Sequence, residues 1–221
     1  MPVSQHVSTA RTPFAADARF EARKLEVWRG ERRLLRDFGF SLAAGQLGRL
    51  TGPNGSGKTS LIRVLLGLSL PEIGTIEWCG ESIRRSAGYR DAIAYVGHVS
   101  GVTDNLSARE NLRYATSLMP TKPRVAIDEA LAEVELKRVG ERPAATFSAG
   151  QRRRLALARL LMSPAQLWFL DEPLTNLDTA GTVLIGKLLR AHLAAGGMAV
   201  VASHQAIDCD PQAVVELDLA K

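Results

Sequence analysis

The sequence predicts an α/β fold, on three observations. Short apolar stretches at Leu47–Thr51, Ile93–Val96, 167–170 and 198–203 read as strands buried on both faces, as in a sheet covered by helices. Helical patterns alternate with them at 60–66, 148–162 and 180–194. Between the two halves of this α/β rhythm, residues 99–146 change character and become helix-rich, which marks an insertion.

Taken in chain order, residues 1–18 are polar and patternless and contain no apolar stretch of the secretory-signal type. Residues 1–19 are expected to form a disordered extension with no chemistry, ahead of one domain over 20–221. Segment 20–50 carries short alternating runs, Leu25-Glu26-Val27-Trp28 and Phe38-Gly39-Phe40-Ser41-Leu42, parted by the charged turn Arg29-Gly30-Glu31. That predicts an N-terminal antiparallel β portion. The strand Leu47–Thr51 then runs into Gly52-Pro53-Asn54-Gly55-Ser56-Gly57-Lys58-Thr59, which fits G-x-x-x-x-G-K-[ST]. The glycines let the backbone turn tightly, so successive N–H groups point into one concavity and cradle phosphate oxygens. Lys58 reaches the β/γ-phosphates, the Thr59 hydroxyl serves as a Mg²⁺ ligand, and the helix that follows adds its dipole to the anion site.

Further along, Pro71-Glu72-Ile73-Gly74 is a turn, 75–78 a strand, and Ile93–Val96 a strand ending at Gly97-His98. Within the helical subdomain, about 99–146, Ser107-Ala108-Arg109-Glu110 opens a helix as a capping box, and a second amphipathic helix is expected over 124–139, with Pro120 and Pro123 between the two. Leu167-Trp168-Phe169-Leu170-Asp171 is an apolar strand ending in an acid, where a phosphate-binding loop needs a carboxylate for Mg²⁺. Glu172 follows, placed to orient and polarise the water that attacks the γ-phosphate. His204 ends the last strand, where an imidazole can bond the γ-phosphate or that water. Phe147-Ser148-Ala149-Gly150-Gln151 sets a small turn at another helix N-terminus, a second anion site. One nucleotide does not need both, so the economical arrangement is a head-to-tail dimer.

The formal charge of +5 and the pI near 9.6 are mildly basic. Arginines cluster at Arg32-Arg33, Arg84-Arg85 and Arg152-Arg153-Arg154, but without a Lys-rich tail or many aromatics to stack on bases, and no nucleic-acid partner is expected. Cys79 and Cys209 have no metal-ligand spacing and suit a reducing compartment. No apolar run approaches a bilayer span, so membrane association would come through a partner.

In order and spacing these motifs resemble the ATP-binding subunit of an ABC transporter. Residues 52–59 match its P-loop, Phe147-Ser148-Ala149-Gly150-Gln151 stands in place of LSGGQ, and 167–172 matches Walker B. Leu177-Asp178 stands as the D-loop and His204 as the switch histidine. The resemblance implies a P-loop NTPase core of ABC ATPase type, with ATP and Mg²⁺ as cofactors. It implies a sandwich dimer of two copies in which Ser148, Gly150 and Gln151 contact the nucleotide of the opposite one. Two positions depart from the pattern. His98 stands where the family places the Q-loop glutamine, an imidazole for an amide in contact with Mg²⁺ or water. Either Trp28 or Arg29 occupies the place of the aromatic that stacks on adenine. Tyr95-Val96-Gly97-His98, the run 148–160, 167–173 and Ser203-His204-Gln205 are similar to the ATP-binding subunits of bacterial cytochrome c biogenesis systems, the so-called haem exporters. This implies a peripheral position on the cytoplasmic face of the inner membrane, an integral membrane subunit as partner, and indirect contact with haem-handling membrane proteins. Other exporters of drugs or lipids, and soluble ABC-type ATPases, are the alternative readings.

Overall fold

The computed structural model describes residues 13–119, 121–175 and 177–220. Residues 1–12 of the expected N-terminal extension lie outside them. Two sheets carry the fold. The first is antiparallel, in the order β2 (Arg32–Ala43), β1 (Arg19–Arg29), β4 (Ile73–Trp78), β5 (Glu81–Ser82). The second is parallel throughout, in the order β6 (Ile93–Val96), β7 (Leu167–Asp171), β8 (Met198–Ala202), β3 (Leu47–Thr51), β9 (Val214–Asp218).

The central strands β7 and β8 are buried along their whole length, which is why LWFLD and MAVVA are unbroken apolar runs with an acid only at the tip. Their alternate residues serve two different cores. Leu167, Phe169, Met198 and Val200 face the antiparallel sheet and α1 (Lys58–Leu65), where Phe20 meets Phe40, Tyr89 and Phe169 at centroid distances of 5.9–6.0 Å. Trp168, Leu170, Ala199 and Val201 face the helical side. That side is built by α3 (Ala108–Ser117), α4 (Ile127–Glu133), α5 (Ala149–Met162) and α6 (Thr179–Ala194). A short helix, α2 (Ala87–Ala92), leads into β6 and buries Tyr89, whose hydroxyl donates to Leu65 O at 2.5 Å. Burial pushes that phenol's pKa up.

Two expectations on element bounds are corrected. The amphipathic helix expected over 124–139 is only Ile127–Glu133. Glu135 takes a left-handed conformation (φ 60°), and Leu136 N–H bonds Leu131 O while Glu135 N–H bonds Ala132 O, a double closure that stops the helix. The periodicity continued past that point because Leu136 and the 3-10 turn Lys137–Val139 pack onto the same core. At the N-terminus, residues 13–18, expected to be disordered, are tied down, with Phe14 and Ala15 held against the end of α6 and the residue that leads into β7. Phe14 N–H donates to Ala195 O at 2.9 Å, Gln166 Nε2 donates to Ala15 O at 2.7 Å, and the Arg124 guanidinium sits 3.9 Å over the Phe14 ring. The partners of this strap lie more than a hundred residues away, beyond the reach of local pattern. β5, β9 and α2 are also present where no element was expected, each being short or half-exposed.

Candidate active site

The phosphate-binding loop joins β3 to α1 at the carboxyl edge of the parallel sheet, where ligands of open α/β sheets gather. Its conformation demands glycine at both ends. Gly52 has φ 139° and a Cβ there would lie 2.8 Å from Ser56 Oγ; Gly57 has φ 106°, caps α1 and approaches Leu34. The Ser56 hydroxyl is buried without a partner among the described residues, an orphaned group inside the loop that a phosphate oxygen would satisfy. Lys58, almost fully buried, folds back on the loop: its Nζ donates to Gly52 O at 2.9 Å and Pro53 O at 3.3 Å, and lies 3.1 Å from His204 Nε2.

Opposite the loop stand the ends of β7 and β8. Thr59 Oγ1 donates to Asp171 Oδ2 at 2.8 Å, with Asp171 only 2% exposed. These are two hard oxygen donors side by side, and no cluster of three or more His, Cys, Asp or Glu groups suited to a metal occurs among the described residues. That set fits Mg²⁺, which takes one or two protein oxygens and completes its shell with phosphate and water. Glu172 Oε1 lies 3.5 Å from His204 Nε2, and the same nitrogen is 3.0 Å from Asn54 Oδ1. One ring nitrogen cannot serve all its neighbours at once. Without a proton it accepts from Lys58; with one it donates to Asn54 or Glu172.

Asn54, Gly55, Gly57, Lys58, Thr59, Asp171 and Glu172 line one cavity of about 240 Å³ together with Arg29 and Leu34. Of the two candidates for the adenine, Arg29 is on this wall. Trp28 is not, and the Arg33 guanidinium lies 5.9 Å from its ring. Leu34 was not foreseen; its place in β2, packed on Gly57, comes from the antiparallel sheet folding over the loop. His98 is not on this wall either. It lines an adjoining cavity of about 140 Å³ with Ser100, Arg153, Thr175 and Glu172, and Glu172 is common to both.

Ser148, Gly150 and Gln151 lie elsewhere, on a cavity of about 510 Å³ that shares no lining residue with the first. Ser148 caps α5 by a capping box: its Oγ accepts from Gln151 N–H at 3.2 Å, and Gln151 Oε1 accepts from Ser148 N–H at 3.0 Å. The box leaves the Ser148 O–H and the Gln151 Nε2 without another partner among the described residues. The arginines that follow are all engaged. Arg152 pairs with Asp104, Arg154 with Glu135 and, at 3.7 Å, with Asp178, the cap of α6. Arg153 turns inward to backbone carbonyls of 97 and 171–173, a role the sequence reading missed. Its signal was helical spacing: 153, 156, 157 and 160 form one buried face.

A loop threonine bonded to a buried strand-end acid, with a second acid and a histidine beside the loop lysine, suits the handling of phosphates and of water; fold and site together are those of a P-loop ATPase. The sequence profile of ABC transporters matches residues 35–175. A cytochrome c biogenesis ATP-binding export protein, CcmA 2, of Cupriavidus metallidurans is 48% identical over 93% of this chain and 97% of its own. The CcmA protein of Nitrosomonas europaea is 48% identical over 83% of this chain and 87% of its own. Among solved structures, a putative ABC transporter ATP-binding protein of Pyrococcus furiosus shares the fold with a TM-score of 0.77 at 23% identity, covering 90% of this chain and 97% of its own. The chain belongs to the ABC transporter family, as an ATP-binding subunit that hydrolyses ATP.

Proposed function

We propose that this chain is the ATPase of a bacterial inner-membrane complex for cytochrome c maturation, driving haem export or release of a haem chaperone. The observation that carries the hydrolytic part is the convergence of Lys58, Thr59, Asp171 and Glu172 on one cavity. The relatives' names and their near full-length coverage support the cytochrome c assignment.

The residues take the following roles. The loop N–H groups and the Ser56 hydroxyl bind phosphate oxygens, and Lys58 exchanges the carbonyls of Gly52 and Pro53 for them. Thr59 and Asp171 would hold Mg²⁺, which when bound would supply positive charge against the phosphates. Glu172 orients the attacking water and draws its proton, while His204, within reach of Glu172 and Lys58, contacts the γ-phosphate. His98, across Glu172 in the adjoining cavity, bears on the water side rather than on the ion. Arg29 stacks on the base with its planar guanidinium.

This half-site is completed by a second copy, whose Ser148 hydroxyl, Gly150 N–H and Gln151 amide donate to the bound nucleotide. The separation of the two cavities on one chain supports that arrangement. An integral membrane subunit is the second partner. No helix among the described residues is long and apolar enough to cross a membrane, and the groove lined by Leu66, Leu70, Ile83, Arg84, Arg85 and Arg90 exposes apolar surface that suits a protein contact. The chain then sits peripherally on the cytoplasmic face. Glu172→Gln tests the site: it should bind Mg-ATP, lose turnover and accumulate as a nucleotide-bound dimer in gel filtration. Undiminished phosphate release by this variant would sink the role of Glu172.

A further inference from the structure

Arg153 is a cation that neither the phosphate-binding loop nor the acid pair accounts for. It stands on the second turn of α5, five residues past the Ser148 cap, and is 5% exposed. Its guanidinium meets backbone oxygens: Nη1 donates to Gly97 O at 2.5 Å, Nε to Pro173 O at 3.1 Å, and Nη2 to Asp171 O at 3.1 Å and Glu172 O at 2.9 Å. Taking a guanidinium out of water is costly unless its N–H groups are satisfied, so this burial is maintained by the four carbonyls it finds. Burial pulls its pKa down, and the nearby Asp171 carboxylate opposes that pull. Only a planar fork of fixed donors can meet this set; a lysine cannot.

What the fork holds is unusual. Glu172 has φ 49°, a left-handed backbone that non-glycine residues rarely adopt and that persists only where the surroundings enforce it. Both of its backbone polar groups are tied, the N–H to Ala202 O at 2.9 Å and the carbonyl to Arg153 at 2.9 Å and to Thr175 N–H at 3.3 Å. Gly97 precedes His98, and His98, Arg153 and Glu172 line one cavity. A single side chain thus joins the ends of β6 and β7 to the helix that begins at Ser148.

We infer that Arg153 is a positioning residue for ATP hydrolysis. It holds Glu172 in its left-handed conformation and couples that carboxylate, with the His98 loop, to engagement of the Ser148 helix end by the second copy's nucleotide. The inference rests on the proposed roles of Glu172 and of the dimer. Any shift of α5 on closure carries the guanidinium with it and moves the Glu172 and Gly97 carbonyls together.

Arg153→Lys tests this, read by kcat, KM, ATP affinity and thermal unfolding. Nucleotide affinity and KM should stay within about threefold of the unsubstituted protein while kcat falls about a hundredfold, the size of effect expected of a carboxylate misplaced by about 1 Å. ATP-bound dimer should persist, as is expected of Glu172→Gln. A folded Arg153→Lys with unchanged kcat overturns the inference, as does one whose loss lies wholly in KM. Arg153→Gln provides the same comparison if the lysine variant does not fold. In the unsubstituted chain, amide exchange at 97–100 and 171–174 should slow together when a non-hydrolysable ATP analogue drives dimer formation; a change in one segment alone, or in neither, overturns it too. Failure of the underlying reading is distinguishable. Full activity of Glu172→Gln removes the role of Glu172 itself, whereas an inactive Glu172→Gln beside a normal Arg153→Lys removes only the role of Arg153.

Discussion

The side chain of Lys58 donates to two carbonyls of its own loop and lies beside His204 Nε2. An ammonium so placed is desolvated and satisfied without ligand, and a phosphate has only to replace neutral carbonyls by charged oxygens, a gain in hydrogen-bond strength. In the proposed dimer Lys58→Ala should therefore abolish ATP-dependent dimerisation in light scattering, because the nucleotide placed there between the two copies is no longer held. An unchanged dimer fraction and ATP affinity would count against this. At this scale the loop residues, Asp171 and Glu172 were legible in the sequence, since their chemistry requires given residue types in an unbroken local order. Arg153 and Leu34 were not. Arg153 hides in a run of three arginines that reads as a solvated face, and Leu34 reaches the cavity only because β2 folds over Gly57.

Among the elements, α3 gives the clearest link between local sequence and stability. Ser107 Oγ accepts from Glu110 N–H at 3.2 Å and the Glu110 carboxylate accepts from Ser107 N–H at 2.8 Å. Asn111 adds to the anchor by bonding Thr103, Leu106 and Ser107 at once. Ser107→Ala should cost about 1 kcal/mol, measured by urea unfolding at neutral pH. The bond from Ser107 N–H holds the Glu110 carboxyl below the ordinary carboxylate range. A depressed acid stabilises the fold above the ordinary range and ceases to do so as pH falls through its folded value. The stability lost in Glu110→Ala should hence be present at neutral pH and shrink in acid; a difference that grew on acidification would contradict this. The capping box was legible because its partners are three residues apart. The end of α4 was not: nothing local announces the left-handed Glu135, an acid where glycine is usual.

At the scale of the molecule, the cavity at the phosphate-binding loop and the Ser148 cavity share no lining residue, and in the proposed dimer they are the two half-sites of one chain. The membrane partner and the cargo lie a level above. Deleting the gene should remove holo-cytochromes c while leaving b-type haem proteins intact, and a normal c-type haem stain in the deletion strain would refute the cytochrome c assignment.

The sequence by itself determined the class of fold, the phosphate-binding loop, the acid pair and the helix cap at Ser148, because each is a contiguous stretch whose backbone geometry and chemistry demand those residues. The tertiary structure alone decided which side chains converge on them. Strand order 6-7-8-3-9 sets Asp171, Glu172 and His204 around Lys58, the antiparallel sheet brings Arg29 and Leu34 over the loop, and α5 turns Arg153 inward. Such convergence depends on contacts between residues distant in the chain, and periodicity carries no record of those.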